Sequence, residues 1–557
     1  VDSLQEVYHE KGLLMKVSWL RTGRWPWIVL AVILLFAAGV RWRLIDIPLE
    51  RDEGEYAYAG QLMLSGIPPY SQVYNMKLPG TYAMYALFEA VFGQTTAGIH
   101  TGFLLVNAAA ILLVFLLGRR LFGAGAGVMA GASYALLSLS PSVLGTSAHA
   151  THFVVVFALA GFLLLMNAGG GTRRLSTCFL SALLFGLSFI MKQQGVYFLV
   201  FAWLLFAWLQ WRERSSGRRR SAKNLAVFTL GLVMPFVVTC VLVWHAGVWD
   251  TFCFWTFHYA REYVSVTTLA EGLRNFQITF PKVVGPSLLI WALAGMGLLS
   301  LYFDKKQQSV GKVGMTLFTV FSVLTVTPGL YFRPHYFVTV LPAVAILFGH
   351  CCATGCRYII GPGLKKNVWK NVPLALGIGA LGWALIQQYS FFFVKTPVQA
   401  SRALYRMEPF PEAIEIGRYL EAHSGPGDRI AVLGAEPQIF FYSHRRSATG
   451  YIYFYGIWED SSVTERITKE MVREIETAQP KYVVVEFIPP RLIDWARTYL
   501  NKGYEIMERI DIISDDKTEY YWEEKARAPG TMPAFTLVVL RRIAHADTAG
   551  KSLQPRG

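Results

Sequence analysis

The chain has 557 residues, of which 54% are hydrophobic, 14% aromatic and only 16% charged, and its formal net charge is +15. An average residue this apolar excludes an ordinary water-soluble globule and points to a polytopic membrane protein. The positive charge does not imply nucleic acid, because the lysines and arginines cluster in alternate loops between apolar runs.

A hydrocarbon core about 30 Å thick takes roughly 20 apolar residues per helix. Runs of that kind recur at 25–41, 98–118, 123–145, 151–168, 175–191, 196–211, 225–246, 284–303, 313–330, 336–353 and 372–394, which predicts about eleven spans. No small-residue cleavage site follows the first run, so it reads as a retained anchor. Basic clusters at Lys11 to Arg24, Arg119 and Arg120, Arg173 and Arg174, 212–223, Lys305 to Lys312 and 357–370 read as cytoplasmic. The stretch RERSSGRRRSAK is a topology determinant on this reading. An odd number of spans then places the basic segment 1–24 inside and everything after Val394 outside.

The membrane body covers 25–394, with two large external loops, 42–97 and the aromatic-rich 247–283. The tail, 395–545, alternates strand-like runs (429–434, 481–487, 535–542) with helical patterns around 410–423, 463–478 and 490–501, which predicts a small α/β domain. Residues 546–557 look disordered. Within the tail, VLGAEPQ (432–438) has one glycine where a dinucleotide fingerprint needs three. All six cysteines lie in or beside membrane segments, so the tail is not a disulfide framework, and no paired Cys or His spacing suggests structural zinc.

The most informative stretch is RDEGEYAYAGQLMLSGIPPYSQVYNMKLPGTYAMYALF, 51–88, directly after the first span. On a helix starting near Asp52, residues Asp52, Glu55, Tyr56 and Ala59 share a face. Two readings stand at this point: Asp52 caps the helix, or it does chemistry. Pro68, Pro69 and Pro79, with Gly66 and Gly80, break the segment into short helices that lie along the membrane rather than span it. Lys77, just before Pro79, adds a cation that is either a salt-bridge partner or a phosphate ligand.

These residues resemble the first external loop of the GT-C polyprenyl-phosphate-sugar glycosyltransferases, the superfamily of protein O-mannosyltransferases and the lipid A aminoarabinose transferase. There an Asp-Glu pair follows the first span and a Lys-Pro-Pro element comes next; here the element is Lys-Leu-Pro. The resemblance continues through SFIMKQQGVYFLVF, YFRPHYFVTVLP and DRIAVLGAEPQIFFYSHRR, in order along nearly the whole chain.

What the resemblance implies is a helical GT-C membrane domain with an external α/β domain, in a bacterial inner membrane. Asp52 would be the general base and Glu53 its acidic neighbour. Lys77 would bind the donor phosphate, with Lys192, Arg333 and His335 assisting, and Glu55, Tyr56, His149, His152, His258 and Tyr336 would contact substrate. No organic cofactor is expected, while Asp, Glu and His together could bind a divalent cation. The expected partners are a polyprenyl-phosphate-sugar donor, membrane lipid, and an acceptor protein, lipid A or glycan, with no nucleic acid.

One departure stands out. Relatives carry a second acid at the head of the fourth span, where this chain reads GTSAHATHFVVVF. A histidine replaces that acid, Glu55 does so, or an activity was lost. The competing functions are a transporter or flippase of a lipid-linked molecule, which calls for polar residues at the membrane midplane, and a catalytically silent scaffold.

Overall fold

The computed structural model describes residues 23–167, 175–212, 218–303, 309–355, 372–458, 462–527, 533 and 535–543. The basic N-terminal segment to residue 22, the loops 168–174, 304–308 and 356–371, most of the basic stretch of 212–223 before the next helix, and the tail end from 544 lie outside the described residues. The chain divides into two compact units. One comprises the chain to Ile47, Met63–Pro68 and Asn75–Ala400; the other comprises Pro48–Leu62, Pro69–Tyr74 and Ser401 onward. The loop 42–97 is therefore shared out between them.

The first unit is a helical membrane body. Its helices are α1 (Trp25–Arg43), α3 (Gly80–Phe92), α4 (Thr96–Phe122), α5 (Ala124–Leu139), α6 (Ala150–Asn167), α7 (Leu175–Met191), α8 (Val196–Arg212), α9 (Arg218–His245), α10 (Leu269–Val284), α11 (Leu288–Phe303), α12 (Ser309–Leu324), α13 (Leu341–His350) and α14 (Val372–Gln387); α2 (Arg51–Leu64) runs through the shared loop. Among the described residues five helical stretches are long and apolar enough to cross a membrane, and six more apolar helices run 10–17 residues.

Several helices end sooner than their hydropathy suggests, each for a local reason. α5 stops where the Ser140 hydroxyl accepts from the Ser142 amide ahead of a 3-10 turn begun by Pro141. The run expected at 336–353 opens as the 3-10 turn Pro334–Thr339. The run to 394 closes as a π turn, Ser390–Val394. The loop 247–283 is largely helical: Trp249–Ser265 forms helical and π turns, and α10 begins at a capping box between Thr268 and Glu271.

Two arginines at the end of α1 organise this unit. Arg41, only 7% exposed, donates to Asn107 Oδ1 (3.0 Å) and to the carbonyls of Gly145 (2.9 Å) and Ser138 (3.3 Å), and its guanidinium lies over the Phe103 ring. A buried guanidinium must have its donors met, and here that need ties α1 to α4, to α5 and to the loop that delivers His149. Arg43 donates to the carbonyls of Phe391, Phe392 and Lys395, the backbone acceptors left at the end of the π turn.

The second unit contains a six-stranded sheet of order β2-β1-β3-β6-β4-β5, with β1 (Arg429–Leu433), β2 (Arg446–Ser447), β3 (Tyr482–Val485), β4 (Tyr504–Ser514), β5 (Lys517–Trp522) and β6 (Phe535–Arg542). β2, β1 and β3 run parallel; β6, β4 and β5 continue antiparallel. Helices α15 (Phe410–His423), α16 (Gln438–Ser443), α17 (Thr464–Ala478) and α18 (Ile493–Gly503) accompany it. The sequence missed the β4–β5 hairpin because charges at Glu505, Glu508, Arg509 and Asp511 interrupt the alternation expected of a strand.

Glu508 is fully buried, and among the described residues neither of its oxygens has a hydrogen-bond partner. Burial pushes its carboxyl up to about 8, from an ordinary 4.5. A group that stays protonated in the fold but ionises near its ordinary value when unfolded weakens the fold as pH rises between those limits. Glu508→Gln, which cannot ionise, is therefore expected to raise the melting temperature of the full chain in detergent by more than about 2 °C at pH 8 and to change it by less than about 1 °C at pH 5. Equal shifts at both pH values, read by scanning fluorimetry, would contradict this.

Candidate active site

In the membrane unit, four of the segments singled out by sequence close into a ring. The Met76 carbonyl, one residue before Lys77, accepts from Gln193 Nε2 (2.5 Å), one residue after Lys192. Four residues on from Lys77, the Thr81 hydroxyl donates to the Met191 carbonyl (2.8 Å). Gly80 makes this approach possible, since a Cβ there would stand 2.4 Å from the Ile190 carbonyl oxygen. Lys192 lies with its ammonium 4.3 Å from the centre of the Tyr336 ring. Tyr336 meets His335 edge-on at 4.9 Å, and His335 stacks on His149 at 4.2 Å with 17° between the planes. The ring closes where the Tyr85 hydroxyl of α3 donates to the Ala148 carbonyl (3.0 Å), beside His149.

Local backbone sets these positions. Lys192 occupies an extended residue between α7 and the 3-10 turn Gln193–Gly195, so it leaves the helix axis. Arg333 precedes Pro334 in an extended conformation, as a residue before proline should. Its guanidinium donates to the Tyr263 hydroxyl (3.2 Å) and lies 5.5 Å from the Tyr331 ring centre. Lys77, Lys192 and Arg333 are all half-buried, whereas His149, His335 and Tyr336 are buried. Cations on partly dried aromatic surface are suited to holding a phosphate.

Two expected substrate contacts lie elsewhere in this unit. His152 is buried against Phe103, with ring centres 4.7 Å apart, on the side of Arg41. His258 is exposed on the π turn Phe254–Tyr259, with its ring against Phe254.

The acids belong to the other unit. The capping role left open for Asp52 is taken by its neighbours: the Glu53 amide donates to Glu50 Oε1 (3.0 Å), and the Glu50 amide donates to Glu53 Oε2 (3.4 Å). Glu53 and Glu55 are fully buried and Tyr56 nearly so, while Asp52 is half-buried. Four residues that the sequence alone does not single out surround the start of α2: Arg51, Glu408, Glu436 and Tyr453. Arg51 Nε donates to the Ala435 carbonyl (2.6 Å), and its Nη2 reaches Glu408 (2.7 Å) and Glu436 (2.6 Å). The Tyr453 hydroxyl donates to the Arg51 carbonyl (2.7 Å) and lies 3.5 Å from Asp52 Oδ1.

The turn VLGAEPQ, which lacks the glycines of a dinucleotide fingerprint, thus presents a carbonyl and a buried carboxylate to an arginine. The signal available in the sequence was the acid itself, a glutamate straight after an apolar strand. Glu408, Glu436 and Glu486 bring carboxylate oxygens within 4.8 Å of one another. Arg51 lies 2.6–3.8 Å from all three, where a bound cation would otherwise sit.

Residues 77–244 match the family model described as dolichyl-phosphate-mannose-protein mannosyltransferase; the match begins at Lys77 and leaves out Asp52. An undecaprenyl phosphate-alpha-4-amino-4-deoxy-L-arabinose arabinosyl transferase of Pseudomonas aeruginosa is 25% identical over 412 residues, 70% of this chain and 68% of that one. Its counterpart in Pseudomonas paraeruginosa is 26% identical over 411 residues, again 70% and 68%. Among solved structures, ArnT of Cupriavidus metallidurans bound to undecaprenyl phosphate superposes with a TM-score of 0.60 at 15% identity, covering 94% of this chain and 99% of that one. The oligosaccharyltransferase of Archaeoglobus fulgidus gives 0.53 at 13% identity, covering 91% and 75%. The family model, the relatives and the solved structures thus all liken the chain to the GT-C polyprenyl-phosphate-sugar glycosyltransferases, whose fold it shares.

Proposed function

We propose that the chain transfers a sugar from undecaprenyl phosphate to a hydroxyl acceptor on the external face of a bacterial inner membrane. The observation that carries this reading is the ring that draws the segments of Lys77, Lys192, Tyr336, His335 and His149 together in the membrane unit. A donor with its tail in lipid places its phosphate at headgroup depth, where such a ring can meet it. The relatives named for undecaprenyl-phosphate aminoarabinose support this donor class.

In the reaction, an acceptor oxygen attacks the anomeric carbon, a new C–O bond forms and the bond from that carbon to the phosphate oxygen breaks. Asp52 takes the acceptor's proton. Lys77, aided by Lys192 and Arg333, stabilises the charge that gathers on the departing polyprenyl phosphate. Attack opposite to the leaving group inverts the anomeric centre. Of the three options for the altered second acid, the geometry favours histidine at 149: His149 sits in the ring, whereas His152 faces Phe103.

Two outcomes test this. In purified full-length protein, Asp52→Asn should keep its affinity for undecaprenyl phosphate yet lower turnover of lipid-linked sugar by about 10² to 10⁴; mass spectrometry of the released carrier reads it, and wild-type turnover would contradict the assignment. Lys77→Ala should weaken undecaprenyl phosphate binding roughly tenfold or more, with Lys192→Ala weaker by a smaller factor. Unaltered binding in both variants, measured by native mass spectrometry, would move the phosphate elsewhere.

A further inference from the structure

In the tail-containing unit, one face of α2 is fastened along its whole length. Leu49 donates its amide to the Tyr442 hydroxyl (2.9 Å), and Arg51 grips Ala435, Glu408 and Glu436. Gly54 lies flat on the start of α16, where a Cβ would come within 2.6 Å of the Gln438 backbone nitrogen. The Tyr58 hydroxyl accepts from the Ser447 amide (2.8 Å), and Gln61 Nε2 donates to the Phe441 carbonyl (3.1 Å). Residues 51, 54, 58 and 61 recur at three- and four-residue spacing, so they form one stripe. Asp52 stands next to that stripe, with the Tyr453 hydroxyl at 3.5 Å from its Oδ1.

The partners of Arg51 are themselves fixed. Glu436 is fully buried and accepts from Gln438 Nε2; Glu486 Oε2 accepts from the Ala435 backbone amide (2.6 Å), which holds the turn whose carbonyl Arg51 uses. A planar guanidinium meeting two carboxylates and a carbonyl has little freedom to rotate or slide. Arg402 ties the same region down, donating to the Glu408 carbonyl (2.9 Å) and to Glu412. The Tyr453 bond to the Arg51 carbonyl then fixes the peptide that leads directly into Asp52.

We propose that the tail is the positioning element for the catalytic carboxylate: Arg51, held by Glu408 and Glu436, and Tyr453 set the place and orientation of Asp52 without contacting donor or acceptor. This rests on the reading of Asp52 as the base. It gives the tail a part in the chemical step rather than in acceptor docking or covering alone. Small displacements of a reacting group are costly, with about 1 Å able to cost about 10²-fold in rate.

The test measures full-length variants in detergent alongside Asp52→Asn. Tyr453→Phe, which removes only a hydroxyl, should lower kcat about tenfold and leave donor KM within about twofold. With turnover expressed per molecule that binds undecaprenyl phosphate, a loss of folded protein alone leaves kcat unmoved. Arg51→Lys, which keeps the charge but loses the fork, should lower kcat by about tenfold to a hundredfold at unchanged KM. If Asp52→Asn is inactive while Tyr453→Phe and Arg51→Lys keep wild-type kcat, the positioning role is overturned and the base assignment stands. If Asp52→Asn retains wild-type turnover, the base assignment fails first and takes this inference with it. A fall in turnover that disappears once expressed per binding-competent molecule would also count against it, as the mark of mere loss of folded protein.

Discussion

The guanidinium of Arg51 between the carboxylates of Glu408 and Glu436 is the interaction on which the acidic start of α2 depends. Glu436 is out of reach of water; burial pushes its carboxyl up and the guanidinium of Arg51 pulls it back down. Such a group is stable in the fold only while its hydrogen bonds are met. Removing the arginine would leave three carboxylates facing one another, so the start of α2 is held to one geometry. That geometry places an acidic helix turn beside the tyrosine of a sheet domain far along the chain.

The cation side obeys a different constraint. In the membrane unit, charges must be reconciled with surroundings that solvate them poorly, and aromatic faces do part of that work. Lys192 rests over Tyr336, Arg333 near Tyr331 and Tyr263, and the rings of two histidines stack beside them. A phosphate entering such a place replaces missing solvation and is held by groups already in position. The arginines at the end of α1 complete the arrangement, because Arg41 fastens the loop that carries His149 to the first span.

How much of this was legible in the sequence varied with the kind of signal. Hydropathy located the apolar helices, since lipid leaves little choice about composition, but not their ends, which follow from local turns such as the one at Pro141 and the π turn Ser390–Val394. In the tail, the apolar strands at 429, 482 and 535 were readable, whereas β4 was hidden by a glutamate buried in the sheet. The resemblance supplied Asp52 and Lys77 from the order of short motifs. It could not supply Arg51, Glu436 or Tyr453, because no periodicity marks residues that meet across several hundred positions. Nor could spacing say that Glu53 completes a cap while His149 and not His152 joins the ring; those outcomes depend on packing.

The claim that matters most is that the ring in the membrane unit receives the carrier's phosphate. A polyprenyl phosphate bearing a photoreactive group next to the phosphate, bound to the full-length protein in lipid nanodiscs and activated by light, tests it directly. Peptide mapping should find the label on the segments 76–85, 191–195 and 333–336. Label confined to other membrane helices or to the tail sheet would contradict the assignment.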